Sequence, residues 1–423
     1  MLRADAEAPA SVADSSQTGD DTVRSTPAAS SAAGPVYPIL MAICFCHLLN
    51  DMMQALVPAI YPLLKESYGL DFMQVGFITF TWQGMASLLQ PVVGTYTDKY
   101  PKPYSLAFGM GFTLLGLVMI GYAHSYPMLL VSVAFIGTGS SIFHPESSRV
   151  ARLASGGRYG LAQSIFQVGG NIGTAIGPLA AVLIVMRNGQ ASMSWFGACA
   201  LLAAFVLWRV GGWYAGHLAA RANRAARPVR ETGLSRSTTL IAIAILISLS
   251  FSKSFYTASI TSFFQFYVID RFHVDVQTAQ LYLFIFTGSV ALGTLAGGPL
   301  GDRFGRKGVL LFSVLGTLPF SLALPYANLF WTGALIAMVG LILASTFSVI
   351  VVYAQELLPG KTGLVAGIFF GLAFGLSGLG AAVLGKIADM TSIAFVYQVC
   401  SFLPAIGVLV FLLPDIRSVE RRG

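Results

Sequence analysis

Long apolar runs, separated by short polar connections, follow one another along the chain from residue 37 onward. A helix of about 20 apolar residues crosses the hydrocarbon core of a bilayer. Backbone groups inside lipid must form their hydrogen bonds within the segment, which favours helices over open strands. The pattern therefore predicts twelve membrane-spanning helices. Their expected ranges are 37–63, 71–96, 103–123, 126–148, 159–186, 192–214, 239–268, 276–300, 308–326, 329–355, 362–386 and 392–413.

The longest internal polar stretch divides the twelve apolar runs into two sets of six. It contains Arg221, Arg224, Arg227, Arg230 and Arg236, which is typical of a solvated linker. The N-terminal segment is rich in Ala, Ser, Thr, Asp and Pro and buries too little apolar surface to fold alone. The expected organisation is a disordered cytoplasmic tail (1–36), a six-helix bundle (37–215), a basic cytoplasmic linker (216–238), a second six-helix bundle (239–414) and a cytoplasmic tail (415–423).

Composition and charge distribution support a membrane protein. Hydrophobic residues make up 55% of the 423 residues and charged residues only 10%, whereas soluble domains have about 25% charged residues. The net charge of +7 does not indicate a nucleic-acid partner, because the basic residues lie in short loops between apolar runs. With both termini in the cytoplasm, 20 of the 25 Lys and Arg residues lie on the cytoplasmic side, as the positive-inside rule requires.

Two motifs recur at nearly the same separation. A Gly-x-x-x-Asp-Lys motif at 94–99 returns as Gly-x-x-x-Asp-Arg at 298–303, 204 residues later. A longer match joins 157–166 to 360–369, with a separation of 203. The repeat indicates a duplicated six-helix unit. The predicted fold is therefore an all-α membrane protein with two six-helix halves related by a pseudo-two-fold axis along the membrane normal.

The second motif continues as Gly298-Pro-Leu-Gly301-Asp302-Arg303-Phe-Gly305-Arg306-Lys307 and resembles the loop signature of the major facilitator superfamily. The resemblance implies that this loop latches the two halves on the cytoplasmic side, with its Asp facing a helix N-terminus that favours an anion. The first copy departs from the signature because it lacks the Gly-Arg pair. We expect that latch to be weaker, or to use Arg149 and Arg152.

Several further segments, between about residues 37 and 415, resemble the fosmidomycin resistance proteins. They are His47-Leu-Leu-Asn50-Asp51-Met, Gln90-Pro-Val-Val-Gly94, Asp98-Lys99-Tyr-Pro, Gly137-Thr-Gly-Ser-Ser141, His144-Pro-Glu146-Ser-Ser-Arg149-Val-Ala-Arg152, Gln163-Ser-Ile-Phe-Gln167-Val-Gly-Gly-Asn171 and Tyr353-Ala-Gln-Glu356-Leu-Leu-Pro359-Gly. The resemblance implies a bacterial inner-membrane exporter that exchanges protons for an anionic phosphonate antibiotic. We expect no cofactor besides the coupling H⁺, and a functional monomer.

Two ionisable side chains are expected near the middle of the membrane. Asp51 and Lys253 lie near the midpoints of the first and seventh predicted spans, at equivalent positions in the two halves. A charge inside the bilayer costs about 2.5–3.5 kcal/mol on insertion scales, so such residues usually face the bundle interior. We hypothesise that they approach across a central cavity, where Asp51 binds H⁺ and Lys253 holds an anionic substrate. The alternative is a static ion pair that fixes helix packing.

Other polar side chains could line the same pathway. The spacing of His47, Asp51 and Gln54 places them on one helical face, bordered by Asn50. His47 is either a proton relay or a hydrogen-bonded packing residue. The remaining candidates for substrate or proton contact are Gln83, Gln90, Gln167, Asn171 and Tyr256.

Charged residues at the predicted cytoplasmic ends of the spans could form a gate or an entry. The candidates are His144, Glu146, Arg149, Glu356, Gly94, Asp98, Lys99, Gly298, Asp302, Arg303 and Arg306. Glu146 and Arg149 could equally be an i,i+3 pair that only stabilises the helix end. His144 and Glu146 alone are weak evidence for a metal. The four cysteines lie in apolar runs without a CxxC pair, so we expect no metal site.

The fifth span contains Gly173-x-x-x-Gly177-Pro178, which resembles part of the antiporter signature of the superfamily. The motif is incomplete, because Ser164 occupies an outer glycine position, and small residues also serve helix packing alone. A transporter of the same fold for an endogenous metabolite, working by import or facilitated diffusion, remains an alternative. No nucleophile–base pair, metal cluster or phosphate loop suggests an enzyme, and the two-fold repeat disfavours a fixed channel.

Overall fold

The computed structural model describes residues 34–70, 72–222, 233–274 and 276–415. The first-half helices are α1 (Tyr37–Ala59), α2 (Tyr61–Tyr68), α3 (Phe72–Lys99), α4 (Ser105–Gly121), α5 (Tyr126–Leu153), α6 (Tyr159–Ala180), α7 (Met186–Asn188) and α8 (Gly197–Ala222). The second-half helices are α9 (Arg236–Phe272), α10 (Val276–Phe304), α11 (Arg306–Leu315), α12 (Leu318–Ala323), α13 (Leu329–Leu357), α14 (Thr362–Met390) and α15 (Ile393–Cys400). Most of both predicted tails, and Arg224, Arg227 and Arg230 of the linker, lie outside the described residues.

The helices agree with the predicted series of spans. Ten helical stretches in the described ranges are long and apolar enough to cross a membrane. The second and third predicted spans correspond to α3, which has 28 residues, and to α4, which has 17 and is also apolar. The described chain is therefore an all-α membrane protein, as predicted.

The predicted linker was wrong at both of its ends. Helix α8 continues to Ala222, and α9 begins at Arg236, so residues 216–222 and 236–238 are helical. Ala and Arg are strong helix formers, and a helix can therefore continue beyond its apolar stretch. At the start of α9, the Ser235 side chain accepts a hydrogen bond from the backbone N–H of Thr238, which is an N-cap that hydropathy does not detect.

Five predicted spans are not continuous α-helices. The first breaks at Ile60, between α1 and α2, and the sixth begins as a 3₁₀-helix at Gln190–Phe196. The ninth span breaks between α11 and α12 at Gly316 and Thr317, and the twelfth continues after α15 as a 3₁₀-helix at Leu403–Leu412. In the fifth span, a π-helical turn at Ala181–Val185 follows Pro178. Proline removes a helical hydrogen-bond donor and clashes with the preceding turn. A π-helical turn accommodates the resulting change in the hydrogen-bond pattern.

The most extensive contacts between the halves join α3 to α14 and α6 to α10, and α14 also packs against α5. Gly94 of α3 lies so close to Gly363 of α14 that any side chain there would collide with the Gly363 carbonyl oxygen. Gly298 of α10 approaches Gly160 of α6 in the same way. Small residues permit this close backbone approach between membrane helices. Within the first half, α1 packs against α6, and α4 packs against α5.

Candidate functional site

Asp51 of α1 is the centre of a polar cluster. The Asn50 side-chain amide donates to Asp51 Oδ1 over 2.9 Å, and the Gln54 amide donates to the same oxygen over 3.3 Å. Nε2 of His47, one turn earlier in α1, lies 3.2 Å from Asp51 Oδ2. The predicted polar face of the first span therefore exists, and its amides fix the orientation of the carboxylate.

His144 of α5 completes this cluster, and its predicted position at the cytoplasmic mouth was wrong. Its Nε2 lies 3.6 Å from Asp51 Oδ1, and its side chain is buried. The prediction failed because α5 continues to Leu153, beyond the expected end at residue 148. His144 consequently lies deeper in the bundle, where α5 meets α1. We call His47, Asp51 and His144 the Asp51 cluster.

The hydrogen bonds of the two imidazoles determine what each presents to Asp51. Nδ1 of His47 lies 2.6 Å from the carbonyl oxygen of Phe166, and Nδ1 of His144 lies 3.0 Å from that of Ser140. A carbonyl oxygen only accepts, so each Nδ1 carries a hydrogen. In a neutral imidazole the other nitrogen is then an acceptor. Both Nε2 atoms therefore face the carboxylate, and neither makes a hydrogen bond in the described structure.

Three converging acceptors favour a shared cation. One ligand atom from each member of the Asp51 cluster lies within 4.8 Å of the others, which is close enough for a single small ion. A proton held between Asp51 and either imidazole supplies a hydrogen bond that the Nε2 atom lacks. It also reduces the repulsion between their lone pairs. The cluster is therefore suited chemically to take up and release a positive charge.

Glycines of α6 leave the room that this cluster occupies. A Cβ atom at Gly170 would lie 2.5 Å from His47 Nε2 and 2.7 Å from Asp51 Oδ2. Gly173 and Gly177 bring the α6 backbone against Leu48, Met52 and Ala55 of α1. The predicted antiporter-like glycines thus pack α6 onto α1, and Pro178 follows them near the end of the helix.

Lys253 does not pair with Asp51, so the static ion pair considered from the sequence was wrong. Its Nζ lies 4.9 Å from the ring centroid of Phe347 in α13. No ion pair within 4.0 Å joins Lys253 to an acid in the described ranges. A cation over an aromatic face is attracted by the ring quadrupole. Lys253 thus lies beside a ring, without a carboxylate within ion-pair distance in the described ranges.

Two of the other predicted pathway residues lie between the halves. The Asn171 side-chain amide in α6 donates to Thr294 Oγ1 in α10 over 3.1 Å. Gln83 of α3 faces α14, because a Cβ atom at Gly378 would lie 2.6 Å from Gln83 Oε1. Both side chains therefore lie where the halves move relative to one another in any opening.

Among the remaining predicted pathway residues, Gln90 and Tyr256 are buried and Gln167 is half-buried. Both side-chain polar atoms of Gln90 are buried without a hydrogen-bond partner. Oε1 of Gln167 is also buried and has no hydrogen-bond partner in the described structure. Buried unpaired polar atoms are uncommon and expensive. Tyr256 belongs to the apolar cluster of the second half, with 3% of its surface exposed. The structure therefore gives no support to its predicted substrate contact.

Asp98 forms the first latch between the halves. Its carboxylate accepts from the backbone N–H of Gly363 over 2.9 Å and of Leu364 over 2.8 Å, at the start of α14. The positive end of the helix dipole stabilises such an anion. Arg149 of α5 pairs with Asp98 at 2.6 Å and with Glu146 at 3.2 Å. Asp98 therefore contacts Arg149, one of the two residues that the sequence offered as partners for this latch.

Asp302 forms the second latch with the same geometry. It accepts from the N–H of Gly160 over 3.0 Å and of Leu161 over 2.9 Å, at the start of α6. Arg306 pairs with Asp302 at 2.7 Å and with Glu356 at 3.0 Å. Each half therefore contributes an aspartate that caps a helix of the other half. The two repeated loop motifs of the sequence therefore form equivalent contacts, each with a helix of the opposite half.

Arg152 does not join the first latch. Its guanidinium lies 3.9 Å from the ring centroid of Tyr159 and donates to the Gln355 side chain of α13 over 3.2 Å. Gln355 in turn donates to Ser148 Oγ over 3.1 Å, which links α13 to α5. The predicted role of Arg152 beside Asp98 was wrong, because its side chain bridges the halves at a different point.

Two predicted gate residues lie beside neighbouring rings. Lys99 Nζ is 5.1 Å from the Tyr100 ring centroid, and the Arg303 guanidinium is 5.4 Å from that of Phe304.

The end of the bundle that contains Asp98 and Asp302 is named the latch end. The capped helices and the glycine contacts close the interface between the halves at this end.

Comparisons with known proteins agree with this arrangement. The chain matches the family model of the Major Facilitator Superfamily over residues 43–379 and 246–422. It is 54% identical to the fosmidomycin resistance protein of Escherichia coli K12 over 394 residues, which cover 93% of this chain and 97% of that protein. It is 46% identical to the uncharacterized MFS-type transporter YfnC of Bacillus subtilis 168 over 383 residues, covering 90% and 93% respectively.

A solved structure gives the same fold. The human organic anion transporter MFSD10 superposes with a TM-score of 0.71 at 15% identity, covering 90% of this chain and all of that one. The chain belongs to the Major Facilitator Superfamily. It is a multi-pass membrane transporter of small molecules and not an enzyme.

Proposed function

We propose that this protein exports a small anionic drug such as fosmidomycin across the bacterial inner membrane, in exchange for protons. The Asp51 cluster is the observation that carries the proposal, because the Nε2 atoms of two buried imidazoles converge on a largely enclosed carboxylate and neither Nε2 atom has a hydrogen-bond partner in the described structure. Histidine and carboxylate chains are typical of proton relays in membrane transporters. The relative named fosmidomycin resistance protein supports the choice of cargo.

Asp51 and Lys253 have separate roles in this proposal. Asp51 takes the incoming proton together with His47 and His144, which pass it on or share it. Lys253 attracts the anionic cargo, because no acid lies within ion-pair distance of it in the part of the chain that the structure describes. The absence of a direct ion pair leaves each group available to its own ligand.

The two latches define one side of an alternating-access cycle. With both termini in the cytoplasm, the latch end is cytoplasmic, and the conformation described here is closed on that side. Opening toward the cytoplasm requires both aspartates to leave their helix N-termini. Since one chain contains both halves and both latches, the monomer is the proposed functional unit.

The experiment is a transport assay in proteoliposomes with an imposed pH gradient. Fosmidomycin flux is measured beside the flux of a neutral drug, with and without an ionophore that collapses the gradient. We expect gradient-dependent movement of fosmidomycin but not of the neutral drug. Gradient-independent flux would favour facilitated diffusion, and no flux of either compound would contradict the exporter. Equal flux of both would contradict anion selectivity.

A further inference from the structure

Three buried phenylalanines form a continuous aromatic layer across the interface between the halves. Phe370 of α14 is central, with its ring centroid 5.8 Å from that of Phe166 in α6 and 5.1 Å from that of Phe347 in α13. None of the three is more than 5% exposed. We call these three side chains the aromatic layer. Its members come from both halves, so it exists only while the halves are together.

Phe166 and Phe370 of the aromatic layer lie between Asp51 and the latch end. At a rise of about 1.5 Å per residue, Phe166 is about 9 Å along α6 from Gly160, which caps the second latch. By the same measure, Phe370 is about 10 Å along α14 from Gly363, which caps the first latch. Gly170, which faces Asp51, is about 15 Å along α6 from Gly160. A proton that moves from Asp51 to the latch end must therefore pass this level.

Three side chains of the proposed site contact the layer. His47 stacks on Phe166 with centroids 4.0 Å apart and an interplanar angle of 17°. The His144 ring lies 5.1 Å from Phe370, and Lys253 Nζ lies 4.9 Å from the Phe347 centroid. Aromatic rings thus border His47, His144 and Lys253. Water finds no hydrogen-bond partner on the rings themselves.

We propose that the aromatic layer is a proton seal, and that Phe370 is the residue that closes it. An apolar constriction excludes ions by excluding water, and a proton needs water or a polar side chain to move. The seal prevents protons on the Asp51 cluster from reaching the latch-end solution while the latches are closed. Protons therefore cross only when the halves rearrange with cargo. This inference rests on the proposed proton coupling.

The test is passive proton leakage through the full-length chain in proteoliposomes without cargo. A pH-sensitive dye inside the vesicles reports decay of an imposed gradient, with valinomycin and K⁺ to clamp the membrane potential. We expect Phe370→Ala to leak protons several-fold faster than the wild type. Phe370→Leu, which keeps an apolar side chain of substantial volume, is expected to leak no faster than the wild type. Phe347→Ala provides a second opening of the same layer should Phe370→Ala not fold.

A double variant shows whether the leak passes through the Asp51 cluster. Adding Asp51→Asn to Phe370→Ala is expected to return leakage toward the wild-type rate. A folded Phe370→Ala protein without increased leakage would overturn the seal. Leakage unchanged by Asp51→Asn would overturn it too, since the open path would then bypass the cluster. A wild type without gradient-driven transport would instead contradict the proposed function, whatever the leakage shows.

Discussion

Nε2 of His144 lies 3.6 Å from the carboxylate of Asp51, although 93 residues separate them in the chain. This contact joins α5 to α1 and adds a second imidazole to a carboxylate that already faces His47. If a proton is added and the two groups close to hydrogen-bond distance, the charge-assisted hydrogen bond that forms is worth about 1.5–3 kcal/mol. The pair is consequently strong enough to bias helix positions in a transport cycle when its proton content changes.

Replacing His144 should weaken coupling without abolishing the fold. We expect His144→Gln to reduce gradient-driven drug transport by about tenfold to a hundredfold, which corresponds to the loss of about 1.5–3 kcal/mol. Initial rates in proteoliposomes at several pH values provide the measurement. His124→Gln changes a histidine outside the Asp51 cluster and should retain wild-type transport. Equal losses in both variants would remove the assigned role of His144.

Gly170 should tolerate no side chain. A methyl group there would lie within 2.5 Å of the His47 ring and 2.7 Å of Asp51 Oδ2, so Gly170→Ala should displace the cluster and abolish gradient-driven transport. Gly84→Ala is the matched control, because a Cβ atom at Gly84 meets nothing within 4 Å. Transport by purified, monodisperse protein is compared for both. Normal activity of Gly170→Ala would show that the cluster geometry is unimportant.

The two latches should hold the same conformation and contribute comparably. Asp98→Asn and Asp302→Asn each remove a negative charge. That charge otherwise caps a helix N-terminus and pairs with an arginine. Each change should therefore shift the population toward a structure open at the latch end. Spin labels at positions 102 and 361, which are exposed in different halves, report the separation by pulsed EPR. We expect a longer distance in each variant and a further increase in the double variant; unchanged distances would contradict the latch.

Lys253 should determine affinity for anionic cargo. Lys253→Met removes the charge and keeps an apolar side chain. A hydrogen bond to a charged group contributes about 1.5–3 kcal/mol. The concentration of fosmidomycin required for half-maximal transport should therefore rise by about tenfold or more. Lys253→Arg should retain part of the affinity, because the charge remains. A neutral substrate, if one is transported, should be indifferent to both changes. Unaltered fosmidomycin affinity in Lys253→Met would exclude Lys253 from the binding site.

Much of the fold was predictable because lipid restricts the solutions available to the chain. Apolar run length determines where helices cross, and the repeat in the two loops placed Asp98 and Asp302 at equivalent positions. The ends of α8 and α9 were not predictable from hydropathy, since polar helix formers extend a helix without altering its apolar stretch. The breaks after Pro178 and at Gly316 depend on local backbone geometry that an apolar count does not contain.

The candidate site was predictable only within single helices. His47, Asp51 and Gln54 share a face through helical spacing, which the sequence contains directly. The addition of His144 depends on how α5 packs against α1, and Lys253 over Phe347 depends on the packing of α9 against α13. Such pairings require tertiary contacts. The departure of the first loop from the family signature left Arg149 and Arg152 open as partners of Asp98, and only packing decides that Arg149 lies beside it.

The most direct test of the account is gradient-driven fosmidomycin transport by Asp51→Asn beside Asp270→Asn, an exposed acid at the end of α9. Both proteins are reconstituted at equal density, and binding of fosmidomycin is measured in parallel to establish that each is folded. The account predicts that Asp51→Asn binds the drug but shows no response to the pH gradient, whereas Asp270→Asn transports like the wild type. Full gradient-driven transport by Asp51→Asn would contradict it.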